Sequence, residues 1–145
     1  MNLMTTKKPL SGWNVLVVDD EMDSRTVATM MLQNAGAHVW GAEHGRAALE
    51  RLAEGKRPDF ILTDLSMPEM DGWSLMHELN KNRVTMDIPV IALTAHAMNG
   101  DRERAISAGF RNYITKPLSF DKFISQLLAI LVDQPEFAAA FAVKG

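Results

Sequence analysis

Five short apolar runs, each followed by a helix-like stretch, leave this chain few folds to choose from. The runs are Val15–Val18, Ala37–Trp40, Phe60–Leu62, Val90–Leu93 and Tyr113–Ile114, and four of them begin 20 to 30 residues after the one before. Strands that are apolar on both faces belong in parallel sheets covered by helices. The intervening segments carry helical periodicity. Val27, Ala28, Met31, Leu32 and Ala35 share one stripe, with Gly36 as a stop. Ala48, Leu49, Leu52 and Ala53 share another, stopped by Gly55, and a third uses Leu75, Met76 and Leu79. The fourth, around Arg102–Ala108, is polar and ends at Gly109, which predicts a loosely packed helix. The last is the clearest: Phe120, Phe123, Ile124, Leu127, Leu128 and Leu131, with Ser119 as N-cap. Right-handed crossovers then give an α/β fold, a doubly wound (βα)5 parallel sheet of five strands in flavodoxin-like order 2-1-3-4-5.

The 145 residues suit one domain with a proper core. We expect an N-terminal extension over 1–12, the domain over 13–132 and a tail over 133–145. The tail holds Pro135, Phe137 and Phe141; it reads as a frayed extension, with a docking segment as the alternative. Net charge is -3 and the pI about 5.8, so no basic nucleic-acid surface is expected, and the tail is too short for a DNA-binding output domain. Absent cysteines exclude disulfides and thiol chemistry. Neither a signal-peptide run nor an apolar stretch of membrane-span length occurs, which reads as a cytoplasmic protein with no membrane partner.

In sheets of this order, ligands bind beyond the carboxyl ends of the strands, at the switch between strands one and three. Strand one is followed by Asp19, Asp20 and Glu21, and strand three by Asp64. Thr94 and Ala95 follow strand four, and Lys116 and Pro117 follow strand five. Each pattern alone is ordinary: an acidic run is usually a solvated turn, and a lone Asp a helix cap. Their coincidence on one edge of the sheet is what carries weight. Three carboxylates (Asp19, Asp20, Asp64) against one lysine leave two negative charges, which a divalent cation neutralises. Oxygen-only donors favour Mg2+ or Mn2+. Asp64, standing apart from the acid pair, can act as a carboxylate nucleophile, while Thr94 and Lys116 can meet phosphoryl oxygens and Ala95 leaves room beside them.

The stretches "VLVVDDE", "FILTDLSMPEMDG", "VIALTAHA" and "NYITKP" together resemble the receiver domain of two-component response regulators, over about residues 13–132. The resemblance implies Asp64 as phosphoacceptor, and metal held by Asp19, Asp20, Asp64 and the backbone carbonyl of Ser66. It implies Thr94 and Lys116 on the phosphoryl group, Thr94 and Tyr113 as the switch pair, a cis bond before Pro117, and Gly72 opening the third helix. It also implies a histidine kinase or histidine phosphotransfer protein as donor and a downstream protein as target. Ser66 and His96 stand where family members vary along the water path. The longer stretch from Thr94 to Leu118 looks closest to single-domain regulators of cell division and to receivers attached to hybrid histidine kinases.

Three other functions compete. A phosphatase of the haloacid-dehalogenase type needs a second Asp two residues after its nucleophile, where this chain has Ser66. A flavodoxin-like FMN carrier needs a hydroxyl- and glycine-rich phosphate loop after strand one, where this chain has acids. A docking module that works without phosphorylation remains open on sequence.

Overall fold

A parallel sheet in the order β2-β1-β3-β4-β5 forms the centre of the structure, a computed structural model that describes residues 8–95, 100–135 and 137. Its strands are β1 (Asn14–Val18), β2 (His38–Ala42), β3 (Phe60–Asp64), β4 (Val90–Thr94) and β5 (Asn112–Thr115). The helices are α1 (Met22–Asn34), α2 (Gly45–Ala53), α3 (Gly72–Lys81), α4 (Asp101–Ala108) and α5 (Phe123–Asp133). This is the expected (βα)5 flavodoxin-like fold, strand order included.

Strand alternation divides the core in two. Val15, Val17, Phe60, Leu62, Ile91 and Leu93 point to the face covered by α1 and α5. Leu16, Val18, Ile61, Val90 and Ala92 point to the face covered by α2, α3 and α4. Burying each of the valine, leucine, isoleucine and phenylalanine side chains contributes about 1.5–3 kcal/mol, so β1, β3 and β4 anchor the molecule. The edge strands differ from the sequence reading. β2 runs on to Ala42, and its side chains other than Ala42 are exposed or half-buried, because one flank of an edge strand has no neighbour. In β5 only Ile114 is buried.

The helix stripes hold with two corrections. Ala53 is exposed at the fraying end of α2. Phe120 is not on the α5 stripe: residues 120–122 form a turn, the helix starts at Phe123, and Phe120 is 77% exposed. Ser119 serves this turn through its carbonyl, which accepts from the Phe123 amide at 2.8 Å, rather than through a side-chain cap. In α4 only Ala105 is buried, as its polarity led us to expect. Gly36 ends α1 with φ +102, and a Cβ there would also come within 3.0 Å of Ser11, so only glycine suits this corner.

The two flanks of the domain meet. Phe137 is 5% exposed and packs on Trp13 at 5.2 Å and on Phe60 at 6.2 Å between ring centroids, in the same core as Leu10. The frayed reading of the tail is therefore wrong at Phe137, which docks on the domain's own core. Phe141 lies outside the described residues. Among the described residues, no helix is long and apolar enough to cross a membrane.

Candidate functional site

The carboxyl ends of β1, β3 and β5 bring the predicted acids and lysine together. β1 pairs with β3 so that Val18 lies opposite Thr63, which sets Asp19 beside Asp64. β4 pairs with β5 so that Thr94 lies opposite Thr115, and the Lys116 amide donates to the Thr94 carbonyl at 2.7 Å. This register carries Lys116 across to the acids. Its ammonium donates to Asp19 Oδ2 at 2.8 Å and to Asp64 Oδ2 at 3.2 Å.

Each acid has its own surroundings. Asp19 is fully buried, and its other oxygen accepts from the Glu21 amide at 3.0 Å. Asp64 is 7% exposed and accepts from the Ser66 amide at 3.2 Å through Oδ1. Asp20 is exposed. One oxygen from each of the three lies within 4.8 Å of the others. A cleft of about 510 Å³, lined by Asp20, Leu65, Ser66, Met67, Pro68, Asp71 and Trp73, gives access from solvent. A larger cavity, about 690 Å³, sits at the C-terminal ends of α2 and α3, away from these acids.

Charge and burial oppose each other here. Burial pushes the Asp64 carboxyl above its ordinary 3.8; Lys116 pulls it down, the neighbouring Asp19 charge pushes it up, and the Ser66 amide pulls it down. For Lys116, burial favours the neutral amine. The hydrogen bond and charge of Asp19, then Asp64, outweigh it and hold the lysine above 10.5. Three carboxylates and one ammonium leave a cluster short of positive charge. The donor set is all oxygen and one face is open to water, which fits a hard divalent cation such as Mg2+ or Mn2+.

The loop after β3 is shaped to hold Asp64 in place. Asp71 caps α3 by accepting from the Ser74 amide at 2.8 Å. Gly72 opens the helix against the loop: its amide donates to the Leu65 carbonyl at 2.9 Å. A Cβ at Gly72 would collide with the Asp64 carbonyl oxygen and come within 2.8 Å of Leu65 Cα. The Lys116–Pro117 bond is cis.

Thr94 is 8% exposed at the end of β4. Tyr113 is half-buried and packs with the α3–α4 face of the core. It also lines a groove of about 370 Å³ with Arg102, Asn112 and Gln126. His96 lies outside the described residues. Sequence reasoning overlooked Arg25, whose guanidinium donates to the Asp19 carbonyl at 2.8 Å. A single arginine on a helix reads as a solvated residue unless its partner is known.

The family model for the response regulator receiver domain matches residues 15–128. The chain is 35% identical over 120 residues to the polar-differentiation response regulator DivK of Brucella anthropi, covering 83% of this chain and 97% of that one. It is 36% identical over 115 residues to the sensor histidine kinase CheAY of Helicobacter pylori, covering 79% of this chain but only 14% of that protein. Among solved structures it resembles the receiver domain of the sensor histidine kinase PA1611 of Pseudomonas aeruginosa. That comparison gives a TM-score of 0.71 and 35% identity, covering 82% of this chain and 97% of that one, and that receiver holds a magnesium ion in its active-site cleft. Fold, acid triad and family match agree: the chain belongs to the response regulator receiver domains, phosphoacceptors that use a divalent metal and catalyse their own phosphorylation and dephosphorylation rather than acting on external substrates.

Proposed function

We propose that Asp64 is the phosphoacceptor of a two-component or phosphorelay system. The observation that carries this reading is the difference in access among three clustered acids. Asp19 is fully buried, so an incoming phosphorus cannot reach it. Asp20 is exposed, which suits a metal ligand open to water. Asp64 is mostly buried yet borders the cleft at Ser66, with Lys116 on one oxygen and the Ser66 amide on the other.

In this reading a carboxylate oxygen of Asp64 attacks the phosphorus of a phosphohistidine. The P–N bond breaks, and the imidazole leaves with its electron pair and takes up a proton. Asp19, Asp20, Asp64 and the Ser66 carbonyl would hold Mg2+ or Mn2+, which supplies positive charge to the phosphoryl oxygens. Lys116 moves from pairing two acids to pairing the new phosphoryl group. Thr94 donates its hydroxyl to that group, and Tyr113 turns inward behind it. The surface of α4, β5 and α5 then changes for a downstream protein, a two-state shift that needs only a few kcal/mol of bias. The donor is a histidine kinase or histidine phosphotransfer protein, which places the chain in the cytoplasm.

The test is to map the modified residue. The protein is incubated with acetyl phosphate and Mg2+, reduced with borohydride and digested for mass spectrometry. The label belongs on Asp64; label on Asp19 or Asp20 would refute the assignment.

A further inference from the structure

We infer that Arg25 is a positioning residue for the acid pocket, its stem lying against Gly41 of the edge strand. Arg25 sits in the first turn of α1, and its guanidinium Nη1 donates to the Asp19 carbonyl at 2.8 Å. That carbonyl belongs to the peptide joining Asp19 to Asp20. With the Asp19 amide donating to the Ala42 carbonyl at 3.0 Å, and its carboxylate taking the Glu21 amide and Lys116, every polar group of Asp19 is held. The plane of the next peptide, and so the direction in which Asp20 leaves the strand, depends on Arg25.

The arginine reaches this carbonyl by crossing the edge strand. Val39 and Gly41 are two apart on β2 and share the face toward α1. A Cβ built at Gly41 would lie 3.4 Å from Arg25 Cδ and 3.7 Å from Nε. That is ordinary contact distance, so a bare Cβ would fit against the stem of the arginine, and it is the further carbons of a branched side chain that would crowd it.

The inference rests on the metal-binding reading above, and two effects of opposite sign make it testable. As a bare positive charge, Arg25 would repel a cation, and its removal would tighten binding. As a positioning residue, its removal lets the Asp19–Asp20 peptide rotate and weakens binding; groups that orient metal ligands typically contribute 10- to 100-fold in affinity.

The experiment is a Mn2+ titration of the full chain, free Mn2+ being counted by electron paramagnetic resonance and the fold checked by circular dichroism. Asp20→Ala, which deletes a ligand, is the control. Arg25→Ala should weaken Mn2+ binding about tenfold, and Arg25→Lys, which keeps a donor, should recover part of it. Gly41→Val should weaken binding in the same direction with no change of charge. It decides the matter alone should Arg25→Ala fail to fold, since valine suits an edge strand. Unchanged or tighter binding in Arg25→Ala and Gly41→Val, with Asp20→Ala weakened, would overturn the role of Arg25 and leave the metal site standing. Absence of Mn2+ binding by the wild-type protein would overturn both.

Discussion

Lys116→Met separates the lysine's electrostatic role from its packing, since methionine keeps an unbranched apolar stem that is only one atom shorter. The lysine side chain is 12% exposed, and the side chains of its partners Asp19 and Asp64 are 1% and 10% exposed. At separations of 2.8 and 3.2 Å and an effective dielectric of ~20, the two attractions are about 6 and about 5 kcal/mol. Much of that offsets the desolvation of three charges. What is lost on removing one partner of a buried ion pair is about 3–5 kcal/mol, because the remaining charges stay buried and uncompensated. With a urea m-value of about 1–3 kcal/mol/M, the midpoint in chelator should fall by more than about 1 M. Mg2+ should then restore stability. Any cation at 100 times its dissociation constant adds about 2.7 kcal/mol, and the variant, freed of the lysine's repulsion, should bind more tightly and gain more at equal Mg2+. Urea unfolding followed by circular dichroism, with chelator and with Mg2+, measures both. An unchanged midpoint in chelator, or a smaller response to Mg2+ than wild type, would refute the reasoning.

Other outcomes follow from the same geometry. Burial first, with Asp19 adding to it, holds the Asp64 carboxyl above 3.8 against Lys116 and the Ser66 amide, so the folded chain keeps this proton more tightly than the unfolded one. Its contribution to stability is therefore fullest below 3.8 and is lost as pH rises through the higher folded value. Asp64→Asn should raise the urea midpoint of the metal-free protein at pH 7, and the gain should shrink as pH falls. Gly72→Ala should destabilise by about 1–3 kcal/mol and impair phosphorylation, because its Cβ meets backbone rather than a movable side chain; thermal unfolding checks the first and labelling the second. Phe137→Ala should cost about 3 kcal/mol, as expected for a buried phenylalanine, against nearly nothing for a frayed tail. Hydrogen exchange with and without beryllofluoride should change over α4 and β5; unchanged protection there would argue against the switch.

What could be read from the sequence, and what could not, has physical causes. β1, β3 and β4 are buried on both faces and so appear as unbroken apolar runs. β2 was placed less well because an edge strand need not be apolar throughout, and Gly41 interrupts it. Phe120 misled because a turn before α5 breaks the helical phase, and a periodic pattern does not show where the helix begins. The clustering of Asp19, Asp20, Asp64 and Lys116 was legible because strand order alone places strand ends together. Arg25 was not, because its partner is a backbone carbonyl, and sequence does not mark which carbonyls need a donor. Phe137 was ambiguous for a related reason: its ring partners Trp13 and Phe60 come from the N-terminal end of the domain and the base of β3, far from it in sequence.

Phosphotransfer from a histidine-phosphorylated protein tests the central claim most directly. Incubated with a labelled phosphohistidine donor and Mg2+, the wild-type chain should acquire a base-labile acyl phosphate. Chelator should abolish the transfer rather than slow it, since an anionic phosphoryl group cannot approach three carboxylates offset by one lysine; each charge pair about 4 Å apart amounts to roughly 4 kcal/mol against ~1.4 kcal/mol per tenfold in rate. Asp64→Asn should take up no label. Incorporation into Asp64→Asn at the wild-type rate, or full transfer in excess chelator, would contradict the assignment, and no transfer to the wild-type chain from any donor would leave a docking module that works without phosphate.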